Sequence, residues 1–334
     1  MLCPSDVGII LSYQCQAACK HCLYNCGPAR RGWMAESQLG EVFEAVLGLP
    51  QPAQVHITGG EPFLRFDLLV EAVRLATELG IPRYVETNAG WCVSESLATR
   101  RLMTLREAGL QALLISCSPF HAETIPPART RLAYKKAVAV LGQDRVILYL
   151  PEWLRRIEQF GAEQPTSLGA YVEALGPAEA GSLLWQGYGL ISGGQSGYEL
   201  GYLADLRPAD SFRGQDCRAE ILYAQHSHMD LWGNFVPGFC GGLALGDWRD
   251  LSGLRTRFRK GQFPPLAGIL VAGGPFALYE MVREQAGYVP LADGYAGKCH
   301  LCVDVRRALA AGYVPQAAQS ESRELEPEGF YEAF

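Results

Sequence analysis

A secretory signal, a membrane span, a basic face and an internal repeat are all missing from this 334-residue sequence, and each absence removes a class of function. No basic segment leads into an apolar core at the N-terminus, and Gly8 to Leu11 is far too short to be such a core. The most apolar later stretch, Phe263 to Tyr279, is broken by Pro264, Pro265, Gly273, Gly274 and Pro275, which argues against a helix that crosses a membrane. Acidic and basic residues are mixed and the formal net charge is −6, so nothing marks nucleic acid as the partner. What remains is a cytoplasmic globular chain that acts on protein or small-molecule substrates. It is long enough for one large domain and a smaller one.

Cysteine is plentiful instead, with 11 in the chain. In a cytoplasmic protein that usage points to metal ligation over disulfides. Cys15, Cys19 and Cys22 form a C-x₃-C-x₂-C triplet just after a short apolar segment. Three thiolates this close can hold one face of an iron–sulfur cluster and leave one metal position without a protein ligand. An open metal position invites a reactant. The same cysteines could ligate zinc together with His21 or join disulfides, but zinc sites usually have two well-separated halves and disulfides need an oxidising compartment.

Gly59-Gly60-Glu61-Pro62 follows an apolar stretch and precedes the helix-like run Leu68 to Leu79, which places it at the C-terminal end of a strand. Glycines there let backbone approach a ligand closely, and Glu61 offers an acceptor to a cation; an ordinary strand-to-helix turn has the same composition. Short β-rich runs recur at Gly8–Leu11, Gln54–Thr58, Tyr84–Thr87, Leu113–Ser116, Val146–Leu150 and Leu183–Leu190. Amphipathic segments such as Leu39–Leu47, Leu68–Leu79 and Arg131–Leu141 lie between them. Alternation of this kind predicts a parallel α/β sheet.

The triplet resembles the signature of the radical S-adenosylmethionine (SAM) superfamily. With 36 residues between Cys22 and Gly59, the GGEP run falls in the order that family has. The resemblance implies a [4Fe–4S] cluster on Cys15, Cys19 and Cys22, with SAM on its fourth iron. It also implies a partial (β/α)₆ TIM-like barrel over residues 1–205, with chemistry at the C-terminal ends of the strands, as in complete barrels. Gly59, Gly60, Glu61 and Pro62 would bind the methionine part of SAM. Thr87 and Asn88 would line its pocket, and Ser116 and Ser118 would reach its ribose or carboxylate, although hydroxyls at strand ends also serve as local caps. His21 stands where the family commonly has an aromatic residue packed near the adenine. An imidazole can still stack there, and a surface histidine is the plainer reading.

A second set, Cys217, Cys240, Cys299 and Cys302, could hold zinc or another iron–sulfur cluster by spacing alone. The run from Cys217 through Gly233 to Cys240 is similar to the opening of the SPASM and twitch extensions of radical SAM enzymes, with a gap after Gly233 two residues too long. Met229 to Pro237 reads as a hairpin turning at Gly-Asn. No cysteine follows Cys302, so the resemblance implies one auxiliary [4Fe–4S] cluster in a small α+β domain over residues 206–312. The connection from Asp247 to Gly297 is expected to contain a helix. Residues 313–334 read as an acidic, poorly ordered tail whose Phe330, Tyr331 and Phe334 could dock back on the body.

Cys3, Cys26, Cys92 and Cys117 are left over, and free cysteines are commonly buried as small apolar residues. Cys117, and after it Cys26, are the placements suited to a thiol that donates a hydrogen atom to a substrate radical. The implied reaction is reductive SAM cleavage to a 5′-deoxyadenosyl radical, with electrons from a flavodoxin or ferredoxin, followed by hydrogen abstraction from substrate. The resemblance favours a ribosomally made peptide, epimerised or cross-linked. Only 14 residues precede Cys15, so leader recognition is expected from elsewhere in the chain or from a separate protein. That keeps a small-molecule dehydrogenase or epimerase as the alternative. A non-enzymatic metal or electron-transfer protein is more remote, because a carrier needs no SAM pocket.

Overall fold

The computed structural model describes residues 1–161, 163–312, 324–327 and 329–333. The chain divides into two compact units. The first is Asp6–Cys19 with Cys26–Ser182, and the second is Met1–Ser5, Lys20–Asn25 and Leu183–Phe334.

In the first unit strands and helices alternate: β1 (Asp6–Ile10), α1 (Glu36–Leu47), β2 (Gln54–Thr58), α2 (Phe66–Glu78), β3 (Arg83–Thr87), α3 (Glu95–Glu107), β4 (Ala112–Ser116), α4 (Pro119–Ala122), α5 (Pro127–Leu141), β5 (Val146–Tyr149), α6 (Pro151–Glu158), α7 (Leu168–Leu175) and α8 (Pro177–Ser182). Strands β1 to β5 pair in sequence order and all run parallel, with Gly8, His56, Tyr84 and Ala112 in register. Each helix returns the chain to the start of the next strand, which a parallel pair requires.

Side chains alternate between faces along a strand. Val7, Ile9, Val55, Ile57, Val85, Leu113 and Ile115 share one face and are fully buried. Helix α2 packs against β2 and β3, and its Leu68, Leu69, Ala72, Val73 and Ala76 form a buried stripe. Burial of that kind stabilises by roughly 1.5–3 kcal/mol per large aliphatic side chain. It holds the strand ends where the loops can use them.

Five of the expected strands lie within two residues of their places, but the sixth does not form. Leu183–Gly187 is a π-helical turn that continues directly from α8. Its residues, Leu183, Leu184, Trp185 and Gln186, include no β-branched side chain, and Leu184 is buried as part of a helical surface. A short apolar run is compatible with either state, and here the preceding helix decides.

The second unit contains α9 (Ser196–Leu200), α10 (Arg218–Leu222), β6 (His226–Asp230), β7 (Phe235–Pro237), α11 (Leu251–Arg259), α12 (Pro265–Ala286) and α13 (Lys298–Ala310). The expected hairpin is present, with Met229 opposite Phe235 in antiparallel register. Buried Asp230 organises its turn by accepting from the Trp232 and Asn234 amides, each at 2.9 Å, and from Asn234 Nδ2 at 3.0 Å. Gly233 takes φ +96°, a backbone state that other residues rarely adopt.

The Asp247 to Gly297 connection holds two helices, α11 and α12. Helix α12 has a mean hydropathy of 1.4 over its most apolar stretch, enough by length and composition to cross a bilayer. That stretch is 56% buried within the protein, and the helix kinks at Gly274 (φ 70°, ψ −168°) just before Pro275. Of the residues read as interruptions, Gly274 and Pro275 make the kink, while Pro264 and Pro265 start the helix. The start of α12 is capped by Glu324, whose carboxylate accepts from the Leu266 and Ala267 amides at 3.0 and 2.9 Å. Phe330 is buried and Tyr331 bonds the Gly242 carbonyl, so two of the three aromatic residues expected to dock back on the body do so. Phe334 lies outside the described residues.

Candidate functional site

In the first unit the GGEP turn is laid against the segment that leads into Cys15. The Gly60 amide donates to the Ser12 carbonyl at 2.7 Å, and the Glu61 amide to the Gln14 carbonyl at 3.0 Å. A Cβ on Gly60 would sit 1.9 Å from that Gln14 oxygen, and one on Gly59, at φ +136°, would sit 2.3 Å from the Ser12 oxygen. Both glycines therefore serve a close approach of two backbone segments. On the far side of the loop, Cys15 donates its amide to the Gly27 carbonyl and Gly27 donates to Tyr13, each at 3.1 Å. Pro62 is buried at the first position of the helical turn Pro62–Arg65, where its missing amide hydrogen costs nothing.

Glu61 is buried and heavily engaged. Its carboxylate accepts from the Phe63 amide at 3.2 Å, the Thr87 hydroxyl at 2.9 and 3.0 Å, and the Asn88 amide at 2.8 Å. Burial raises its pKa to about 7, against the lowering effect of those hydrogen bonds. Glu61 thus ties the end of β2 to the end of β3. Thr87 is tied in turn by Trp91, whose indole nitrogen donates to it at 2.9 Å, and Trp91 stacks on Phe63 with ring centroids 4.1 Å apart.

That lattice aims Asn88 at the cysteine loop. Asn88 Nδ2 donates to Cys15 Sγ at 3.3 Å, and its Oδ1 accepts from Gln16 Nε2 at 2.7 Å and from the Gly90 amide at 2.9 Å. The Ala17 amide also points at Cys15 Sγ, at 3.4 Å. Two N–H donors converging on one sulfur suit a thiolate that carries charge to a metal, and the residues present fit an iron–sulfur ligand at Cys15.

The remaining strand-end residues lie elsewhere. Ser116 ends β4, half-buried. Ser118 caps α4, accepting from the His121 amide and bonding His121 Nδ1 at 2.7 Å. Cys117 between them is buried, and desolvation pushes its thiol up to about 12, so it stays S–H at neutral pH. Cys26 is buried next to Gly27 in the loop beyond the triplet.

Sequence reasoning missed a polar face of the same sheet. Asp6, His56, Thr58, Tyr84, Glu86 and Ser116 alternate with the buried aliphatic residues and so project to the opposite side. His56 Nδ1 lies 2.8 Å from Asp6 Oδ1 and its ring stacks on Tyr84, whose hydroxyl donates to Asp6 at 3.1 Å. Thr58 donates to Glu86 at 3.0 Å. The signal was available in the strict alternation of Gln-Val-His-Ile-Thr.

In the second unit the loop Lys20–Asn25 is built in by glycines. The Gln195 amide donates to the Cys22 carbonyl at 3.0 Å, and a Cβ on Gly194 or Gly241 would sit 2.3 Å from the Cys22 oxygen or 1.9 Å from the Leu23 oxygen. The division between units therefore passes between Cys19 and Cys22. His21 meets Tyr188 edge to face, with Nε2 3.4 Å from the Tyr188 hydroxyl.

Cys217, Cys240, Cys299 and Cys302 are brought together. Each of Cys217, Cys240 and Cys299 is pushed up first by desolvation and then by neighbouring cysteines of the set, Cys240 to about 12 and Cys299 to about 11. Cys217 and Cys302 are buried and Cys240 and Cys299 half-buried, and neighbouring thiols that disfavour one another's ionisation are relieved by a soft metal. Four thiols are by their chemistry a soft-metal donor set.

No family model and no curated protein matches the chain. Among solved structures it is similar to BtrN in complex with AdoMet and 2-DOIA, at 16% identity over 81% of this chain and 89% of that chain, with a TM-score of 0.47. SuiB of Streptococcus suis bound to S-adenosylmethionine matches at 15% identity over 83% and 74%, with a TM-score of 0.44. Native anSMEcpe with bound AdoMet and Cp18Cys peptide matches at 14% identity over 92% and 97%, with a TM-score of 0.40.

Proposed function

We propose that this chain is a soluble, cytoplasmic radical SAM enzyme that modifies a ribosomally made peptide by epimerisation or cross-linking. The observation that carries the radical SAM part is the docking of Gly60 and Glu61 on the Ser12–Gln14 backbone, together with the Asn88 hydrogen bond to Cys15. Three motifs far apart in sequence meet at one loop. Cys15, Cys19 and Cys22 would hold a [4Fe–4S] cluster, and Cys217, Cys240, Cys299 and Cys302 an auxiliary one, dividing the chain functionally into 1–205 and 206–312 with a C-terminal segment. With SAM bound and an electron from a flavodoxin or ferredoxin, the first cluster would supply the chemistry of a 5′-deoxyadenosyl radical, which takes a hydrogen atom from substrate.

The chain's own residues position and shield. Asn88 and the Ala17 amide hold the Cys15 sulfur, while the Glu61–Thr87 lattice keeps the strand ends fixed. Gly59, Gly60, Pro62, Ser116, Ser118 and His21 are the remaining positions proposed to contact SAM. The raised pKa of Cys117 keeps its hydrogen on sulfur, as a hydrogen-atom donor requires; Cys26 is the second candidate.

The paired polar groups Asp6, His56, Tyr84, Thr58 and Glu86 favour a second reading, a dehydrogenase or epimerase of a polar small molecule. Such a face suits a ligand rich in hydroxyl or amino groups.

Anaerobic reconstitution with iron and sulfide counting, alongside a variant with Cys15, Cys19 and Cys22 all changed to Ala, tests the proposal. About eight iron falling to about four, with 5′-deoxyadenosine formed only by the wild type, is expected for two [4Fe–4S] sites. No 5′-deoxyadenosine from reduced, loaded wild type with SAM would sink the radical reading.

A further inference from the structure

Arg306 is 2% exposed. A guanidinium stays charged in a protein, and a buried cation needs an anion beside it. Among the described residues no carboxylate is paired with Arg306. Asp304, two residues away, accepts from Tyr198 at 2.8 Å, from Tyr295 at 3.0 Å and from Tyr288. The hydrogen-bond partners of Arg306 are the Gly241 carbonyl at 3.1 Å and the Tyr331 hydroxyl at 2.5 Å, its Nε is buried with no partner among the described residues, and the cysteines Cys302 and Cys240 are close enough to interact with it electrostatically. None of these is an anion while the cysteines are thiols.

The placement follows from α13. Cys299, Cys302 and Arg306 stand at helical spacings of three and four, so they share one face of the helix. The other basic group near the set, Lys298, differs: it is ion-paired to Glu220 at 2.5 Å and also bonds the Asp216 carbonyl. Lys298 has its counter-ion on the protein surface. Among the described residues Arg306 has no carboxylate partner, and the cysteine cluster is what stands beside it.

We propose that Arg306 is the built-in counter-ion of the auxiliary metal centre and sets its reduction potential. This rests on the reading of Cys217, Cys240, Cys299 and Cys302 as ligands of an iron–sulfur cluster. Four thiolates on a [4Fe–4S]²⁺ core leave a net negative charge, and one-electron reduction adds another. A fixed cation therefore stabilises the reduced form more than the oxidised form and raises the potential.

The test uses the full chain with Cys15, Cys19 and Cys22 changed to Ala, so that only the auxiliary centre contributes. Iron and zinc are counted and an EPR-monitored redox titration is run with Arg306 present, with Arg306→Gln and with Arg306→Lys. The expected result is about four iron in all three, and a reduced-to-oxidised ratio at fixed potential at least tenfold lower in Arg306→Gln, about 59 mV for a one-electron couple. Arg306→Lys should recover most of the shift. A loaded Arg306→Gln protein with an unchanged ratio overturns the proposal. If Arg306→Gln does not load, a loaded Arg306→Lys upholds the need for a cation, and a folded but empty Arg306→Lys overturns it. Zinc or no metal in the parent protein overturns the cluster reading itself, and is seen before any Arg306 variant is compared.

Discussion

Asn88 Nδ2 donates to Cys15 Sγ at 3.3 Å across 73 positions of sequence, and the two are joined again through Gln16, which donates to the Asn88 carbonyl oxygen. An amide at the end of β3 thereby orients a sulfur in the β1 loop. Groups that orient a metal ligand commonly affect metal affinity by about 10–100-fold. Asn88→Asp removes the donor and sets a carboxylate against a thiolate. Retention of iron during chelator challenge should fall by about that factor, with the fold unchanged by circular dichroism; equal retention would leave Asn88 without a role at the ligand.

Gly60→Ala tests the close approach of the GGEP turn. A Cβ there would overlap the Gln14 carbonyl oxygen at 1.9 Å, so the loop before Cys15 must move. A Cβ on Gly40, inside α1, would have nothing within 4 Å. Gly60→Ala should lower stability by more than about 2 kcal/mol and reduce iron loading, whereas Gly40→Ala should raise stability by about 0.5–1 kcal/mol through helix propensity. Denaturant melts of both variants check the contrast.

Glu61 makes stability depend on pH. Its pKa in the folded chain is about 7, raised from 4.5 chiefly by burial. The folded state therefore holds a proton that the unfolded state has released, and this contribution is complete below about 4.5 and is lost as pH rises through about 7. The integrated change is on the order of 3 kcal/mol. Glu61→Gln, neutral at all pH values, should flatten the stability profile across that window while keeping an acceptor for Thr87 and the Asn88 amide. A profile as steep as that of the wild type would show that another group titrates there.

Asp230 is a second structural carboxylate open to test. Asp230→Ala would leave the Trp232 and Asn234 amides without their acceptor, at a cost of about 2–4 kcal/mol. The loss should appear in thermal or denaturant unfolding. A change below about 0.5 kcal/mol would mean that water replaces the carboxylate.

The local grammar of this chain was legible without coordinates. Alternating apolar runs located β1 to β5, because strand and helix periodicities are written in neighbouring residues. Cysteine spacing singled out both candidate ligand sets, and Gly-Asn placed the hairpin turn. Leu183–Gly187 failed because a short apolar run has no period long enough to distinguish strand from helix, and continuity with α8 settled it. The surroundings of Gly60, Glu61 and Arg306 were decided by tertiary structure alone. Gly60 is required by a carbonyl 46 positions earlier, Glu61 is raised by burial among groups from β3, and Arg306 meets Tyr331 and Gly241 from distant segments. Sequence states which groups a chain owns. Close approach, desolvation and charge pairing depend on distance in space, which only the folded chain sets.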